Sequence, residues 1–140
     1  MTGPVDPADF AAAFAALYAA HQVADHWVQT QRQADRKGLP GWAGRIACAA
    51  HVASYTLTAA VALTLVAAAT GWRPNLLAVA AGLAVSAVSH YVADRRTPLR
   101  RLADLLGKDP AWLERGGGLY ALDQSWHVGW LFVAALIVAV

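Results

Sequence analysis

Three histidine–aspartate pairs recur at one spacing: His21 with Asp25, His90 with Asp94, and Asp123 with His127. A separation of four residues puts both members of a pair on one helix face, about 6 Å apart along the axis. A lone His51 joins them. Four imidazoles and three carboxylates make a donor set for one or two divalent transition-metal ions. Imidazole suits Zn, Fe, Mn or Cu, and a carboxylate can bridge. The same groups would also serve a His–Asp hydrogen-bond network that knits helices together, or a proton or ion path. Residue types alone leave the three uses open.

The elements that carry these residues are apolar. The chain has 140 residues, 58% of them hydrophobic and 14% charged, with a net charge of +2 and a mean hydropathy of +0.39. Soluble domains run near 45–50% and 25%, so a disordered chain, a disulfide-stapled module and an ordinary soluble enzyme are all poor fits. The single cysteine, Cys48, lies in an apolar run and reads as a packing residue. No charged side chain occurs between Arg45 and Arg73, between Arg73 and Asp94, or from Asp123 to Val140. An Ala/Phe/Leu run from Asp9 reaches spanning length only if Asp25 lies within it. A membrane helix needs roughly 20 residues, which predicts four spans near 9–29, 47–70, 75–94 and 118–140. The expected fold is therefore all-α: one polytopic four-helix membrane bundle over residues 1–140, with no signal peptide, since acidic Asp6 and Asp9 precede any basic residue.

Local signals agree. Asp6-Pro7-Ala8-Asp9 reads as a helix start, and Gly38-Leu39-Pro40-Gly41, Gly71-Trp72-Arg73-Pro74 and Gly116-Gly117-Gly118 read as breaks. From Pro98 to Lys108, leucines at 99, 102, 105 and 106 alternate with Arg100, Arg101, Asp104 and Lys108. That pattern is a short amphipathic helix between spans three and four, either lying on the membrane surface or capping the bundle. Ten of the eleven basic residues fall in the loops after spans one and three, and only Arg73 falls on the other side. The positive-inside rule then puts both termini outside and both basic loops in the cytoplasm. Anionic lipid accounts for these basic residues more simply than nucleic acid does. The six tryptophans gather mostly near predicted interfaces.

This topology sharpens the constellation. Spans one and three run toward the cytoplasm and read His-x-x-x-Asp, whereas span four runs away from it and reads Asp-x-x-x-His. The two reversals cancel, so every Asp sits near the cytoplasmic surface with its His one turn deeper, and His51 starts at a similar depth. Gln29 and Gln124 adjoin the aspartates, and Tyr55 lies one turn beyond His51 as a hydrogen-bond partner or a packing residue. His26 points elsewhere. Arg95 and Arg96 are expected to snorkel toward water, which leaves the three carboxylates without a counter-charge. The five residues from His21 match those from His90 at four positions, a faint internal echo in an Ala-rich sequence.

His21-Gln22-Val23-Ala24-Asp25 with Gln29 and Lys37, then His51, then His90 to Asp94, then Asp123-Gln124-Ser125-Trp126-His127 resemble a bacterial and phage membrane family catalogued as domain of unknown function thirty-three-oh-seven. The match covers most of the chain, and the closing D-Q-x-x-H is its most specific part. His26 departs mildly from the pattern. A more distant similarity, in placing His and Asp on membrane helices, is to inner-membrane proteins labelled metal-dependent hydrolases. The resemblance implies a multi-pass protein of the bacterial inner membrane.

Three functions follow as expectations. A membrane metalloenzyme would use His21, Asp25, His51, His90, Asp94, Asp123 and His127 to hold Zn, Mn or Fe, with Asp25, Asp94 or Asp123 as general base. The site opens toward the headgroup layer, so the substrate would be a lipid or phosphoester; di-iron oxidation is a variant. A metal or proton transporter or sensor would need polar residues continuing outward, where the sequence instead has Val128, Gly129, Trp130, Leu131, Phe132 and Val133. A structural membrane protein would use the same groups only to specify packing.

Overall fold

The computed structural model describes residues 4–140. Asp6 caps the first helix, α1 (Pro7–Val23), by accepting from the Ala8 amide at 2.7 Å, with Pro7 in the first turn. Then the hydrogen bonding widens: Ala24–Val28 form a π turn, closed by the Gln29 amide on the Ala24 carbonyl at 2.8 Å. A Thr30/Gln33 capping box opens the short α2 (Gln31–Arg36). The longest helix, α3 (Gly41–Thr70), ends on Gly71 at φ 75°, a left-handed stop that suits glycine. Asn75 caps α4 (Leu76–Asp94) through the Leu77 and Ala78 amides. Two shorter helices follow, α5 (Thr97–Leu105) and α6 (Pro110–Arg115), before α7 (Gly118–Val138).

Around the molecule α1 packs on α3, α3 on α4, α4 on α7 and α7 back on α1. Three of these, α3, α4 and α7, are long and apolar enough to cross a membrane. The outward apolar side chains include Leu57, Leu65, Leu76, Leu77 and Val88, each about two-thirds exposed or more. An aqueous surface would disfavour such a skin, and hydrocarbon accepts it. The α1 segment differs from expectation. Its α-helical part stops at 17 residues because the π turn interrupts it, although the helical rod continues to Val28. The second span also begins six residues earlier than expected, at Gly41 rather than 47, and α2 and α6 are helices where loops were expected. The amphipathic segment buries Leu99 and Ala103 against the bundle end and leaves Leu105 and Leu106 outward.

Inside, a core of Ala13, Leu17, Ala59, Leu63, Leu131 and Val138 fills the end near the N-terminus of α1. Close approach of α4 and α7 depends on Gly82. A Cβ there would come within 2.5 Å of Val138 Cγ2 and 2.9 Å of the Ala134 carbonyl. Gly82→Val should therefore destabilise the protein by about 1–3 kcal/mol through overpacking. Gly129→Ala, whose added methyl meets nothing within 4 Å inside α7, should hold or slightly raise the thermal midpoint in detergent.

Candidate metal centre

Each long helix contributes one imidazole to a single buried layer. His21 from α1, His51 from α3, His90 from α4 and His127 from α7 are all at most 3% exposed. His90 lies at the centre. Its ring centroid is 4.2 Å from that of His127, 5.0 Å from His51 and 5.7 Å from His21. The Tyr55 ring stacks on it at 4.0 Å, and the Tyr55 hydroxyl is hydrogen-bonded to Ser86. Tyr55 thus both packs and bonds, holding the His90 plane in place. Trp126 donates to the Ser89 carbonyl at 3.2 Å and ties α7 to α4 one position before His90.

The donor atoms meet at ligand-sized separations. His51 Nε2 and His90 Nε2 are 3.0 Å apart. Asp25 Oδ1 lies 3.4 and 3.5 Å from these two nitrogens, and Asp94 Oδ2 lies 3.2 and 3.3 Å from them. Ligand atoms bonded at 2.0–2.1 Å to a tetrahedral ion stand about 3.3 Å apart. Both triangles on the His51–His90 edge have this size. Hydrogen bonding accounts for the His51–His90 contact at 3.0 Å, but both Asp25 contacts lie beyond the roughly 2.7–3.2 Å of N–H···O bonds. Asp25 Oδ1 and Asp94 Oδ2 are in fact buried without a hydrogen-bond partner, as are His51 Nδ1, His90 Nδ1, His127 Nε2 and both nitrogens of His21. Buried polar atoms are rarely left so.

The remaining predicted residues extend the cluster. His21 Nδ1 is 3.5 Å from Asp25 Oδ2, and His127 Nε2 is 3.7 Å from Asp123 Oδ2. Donors of His21, His90 and His127 lie within 4.8 Å of one another, as do those of Asp94, Asp123 and His127. All seven residues named from the sequence are therefore brought together, and these buried His/Asp groups could hold a metal ion. Asp25 reaches the others from inside the π turn, the kind of local widening that recurs at functional sites. His26 stays out of the cluster and pairs with the Gln22 carbonyl, but it does not point away from the site altogether, since it lines the adjoining cavity.

A cavity of about 710 Å³ opens onto this cluster. Asp25, Asp94 and Asp123 line it, and none of the four buried histidines does. The carboxylates thus form its floor, with the imidazoles behind them. Gln124 donates to Asp123 Oδ2 at 3.3 Å, while Gln29 lines the wall.

Lys37 enters the site in a role that its place in a basic loop does not suggest. Its Nζ lies 2.7 Å from Asp94 Oδ1, with both side chains largely buried. One carboxylate thus has a counter-charge after all. The expected snorkelling is corrected for Arg95 and holds for the exposed Arg96. Arg95 donates to the Lys37 and Leu39 carbonyls, and Arg96 reaches the Ala34 carbonyl at 3.4 Å. Carbonyls left over after α2, next to Pro40 with no amide of its own, hold the Arg95 guanidinium, while Arg96 stays exposed to water as expected. The result is a pinned strap that delivers Lys37. Cys48 is buried, with its thiol 3.8 Å from the Tyr91 carbonyl, as a packing residue would be.

No protein-family model, curated protein or solved structure matches the chain.

Proposed function

We propose that this protein is a four-span membrane metalloenzyme, a hydrolase acting on a lipid or phosphoester at the cytoplasmic headgroup layer of a bacterial inner membrane. The observation that carries the reading is the pair of unpartnered carboxylate oxygens, Asp25 Oδ1 and Asp94 Oδ2, facing two imidazole nitrogens at ligand spacing. Zn, Mn or Fe would supply Lewis-acid charge and an acidified water there. His51 and His90 with Asp25 and Asp94 would hold the ion, and His21 and His127 would complete its surroundings or hold a second. Asp123 is the most exposed of the three carboxylates. It has room on the cavity side to take a proton from water as general base.

The apolar core beyond the histidine layer, with Leu17, Leu63 and Leu131 each at most 3% exposed, favours this reading over transport. A conducting path would need polar groups there. Likeness to the bacterial and phage family and to the metal-dependent hydrolases belongs to the same proposal. Full-chain protein prepared without chelator should retain stoichiometric Zn, Mn or Fe on elemental analysis. Absence of bound metal, even after incubation with each ion, would sink the metalloenzyme and leave the hydrogen-bonded bundle.

The topology has its own test. Arg73 and Arg36 are both exposed, in the α3–α4 turn and at the end of α2. In intact cells a membrane-impermeant thiol reagent should label Arg73→Cys and spare Arg36→Cys. The reverse pattern would invert the orientation.

A further inference from the structure

The cavity over the aspartates has a basic rim as well as an acidic floor. Lys37, Arg96, Arg100 and Arg101 all line it. They are not equivalent. Arg100 is committed, bonding Asp104 at 3.0 Å and Glu114 at 3.2 Å, and these acids raise its pKa above the ordinary value. Lys37 is committed to Asp94. Arg101 has no hydrogen bond or ion pair among the described residues, and Arg96 has only its long contact to the Ala34 carbonyl. Arg96 is also held in an uncommon backbone state, φ 59° and ψ −46°, in a γ-turn closed by the Thr97 amide on the Arg95 carbonyl at 2.6 Å. Strain of this kind persists where the surroundings over-determine it. Leu99, Leu119 and Tyr120 supply an apolar wall to the same cavity.

We infer that Arg96 and Arg101 form the binding site for the phosphate of an anionic amphiphile, whose apolar tail lies along Leu99, Leu119 and Tyr120. Two guanidinium forks free of carboxylates match phosphate oxygens in geometry and charge. The apolar wall distinguishes a phosphate on a tail from phosphate alone. About 710 Å³ is ample for a headgroup and the first carbons of a chain. This inference rests on the proposed metal centre, because without a cation the floor of three carboxylates repels a phosphate. It adds the groups that recognise the substrate and the chemistry they select.

The test is calorimetric titration of the full-length protein in neutral-lipid nanodiscs, with hexyl phosphate, inorganic phosphate and hexanol as probes. Metal content is measured on the same samples. Hexyl phosphate should bind, inorganic phosphate at least about tenfold more weakly for want of the tail, and hexanol not at all. Arg101→Gln, which breaks no contact, should weaken hexyl phosphate binding roughly tenfold, and the Arg96→Gln/Arg101→Gln pair more. The Arg32→Gln/Arg36→Gln pair, outside the cavity, should leave it unchanged. An equal loss in that control would mean diffuse surface charge and overturn the site. Equal affinity for inorganic and hexyl phosphate would overturn the amphiphile in favour of free phosphate. Protein that retains its metal but binds hexyl phosphate no better than hexanol defeats this inference alone. Protein that retains no metal and binds no hexyl phosphate defeats the metal centre and this inference together, whereas metal-free protein that still binds hexyl phosphate through Arg101 defeats the metal centre alone.

Discussion

His90→Ala should abolish stoichiometric metal binding in otherwise folded protein, and His51→Ala should do the same. These two nitrogens form the edge shared by both ligand-sized triangles, 3.0 Å apart. Removing either leaves the two facing oxygens, Asp25 Oδ1 and Asp94 Oδ2, with a single imidazole neighbour each. A site short of a ligand loses affinity far beyond the 10–100-fold typical of an outer-shell change. Asp123→Asn gives the contrasting outcome. Asp123 lies away from the His51–His90 edge, so metal content should stay near wild type. Turnover of a phosphate ester should fall about 100-fold or more if its carboxylate acts as the base. Circular dichroism and size exclusion check folding in each case. Full metal occupancy in both histidine variants would show that the triangles do not hold the ion.

The convergence of these residues is legible in the sequence because helix direction and motif order compensate. His-x-x-x-Asp on two helices and Asp-x-x-x-His on an antiparallel third bring like groups to like depth. The lone His51 follows from the same count along α3. Less legible is how the first segment ends. Its apolar run predicts a continuous span, yet the hydrogen bonding widens at Ala24, and composition carries no signal for an i→i+5 turn. The capping box at Thr30 and the Asp109-Pro110 start are readable signals for α2 and α6, but six-residue helices lack the periodicity that announces longer ones. Lys37 is hidden for a different reason. On charge alone it is one more basic loop residue. Its place depends on Arg95, more than fifty positions away, binding the carbonyls around it. The resemblance marks Lys37 as part of a motif, but its role as counter-ion to Asp94 is set by long-range backbone contacts and has no local signature.

Lys37→Met should destabilise metal-free protein by about 3 kcal/mol or more, because it strands a buried carboxylate. The Asp94 side chain is only 2% exposed, and among the described residues Lys37 Nζ is its one cationic neighbour apart from the histidines. Lys37→Arg keeps the charge within reach and should recover much of the loss. A bound metal would decide how Asp94 is shared. Lys37 holds Oδ1, while Oδ2 faces His51 and His90, so an ion at Oδ2 offsets the same negative charge from the other side. Added Zn or Mn should therefore raise the thermal midpoint of Lys37→Met more than that of wild type, narrowing the gap between them. The sign follows from electrostatics: without the lysine, the carboxylate gains more from a cation and the cation meets no neighbouring positive charge. Thermal unfolding of both proteins, chelator-treated and metal-loaded, measures all four values. A gap that stays the same with and without metal would mean that Lys37 and the ion do not meet at Asp94, and the centre would have to be rebuilt around His21, His127 and Asp123.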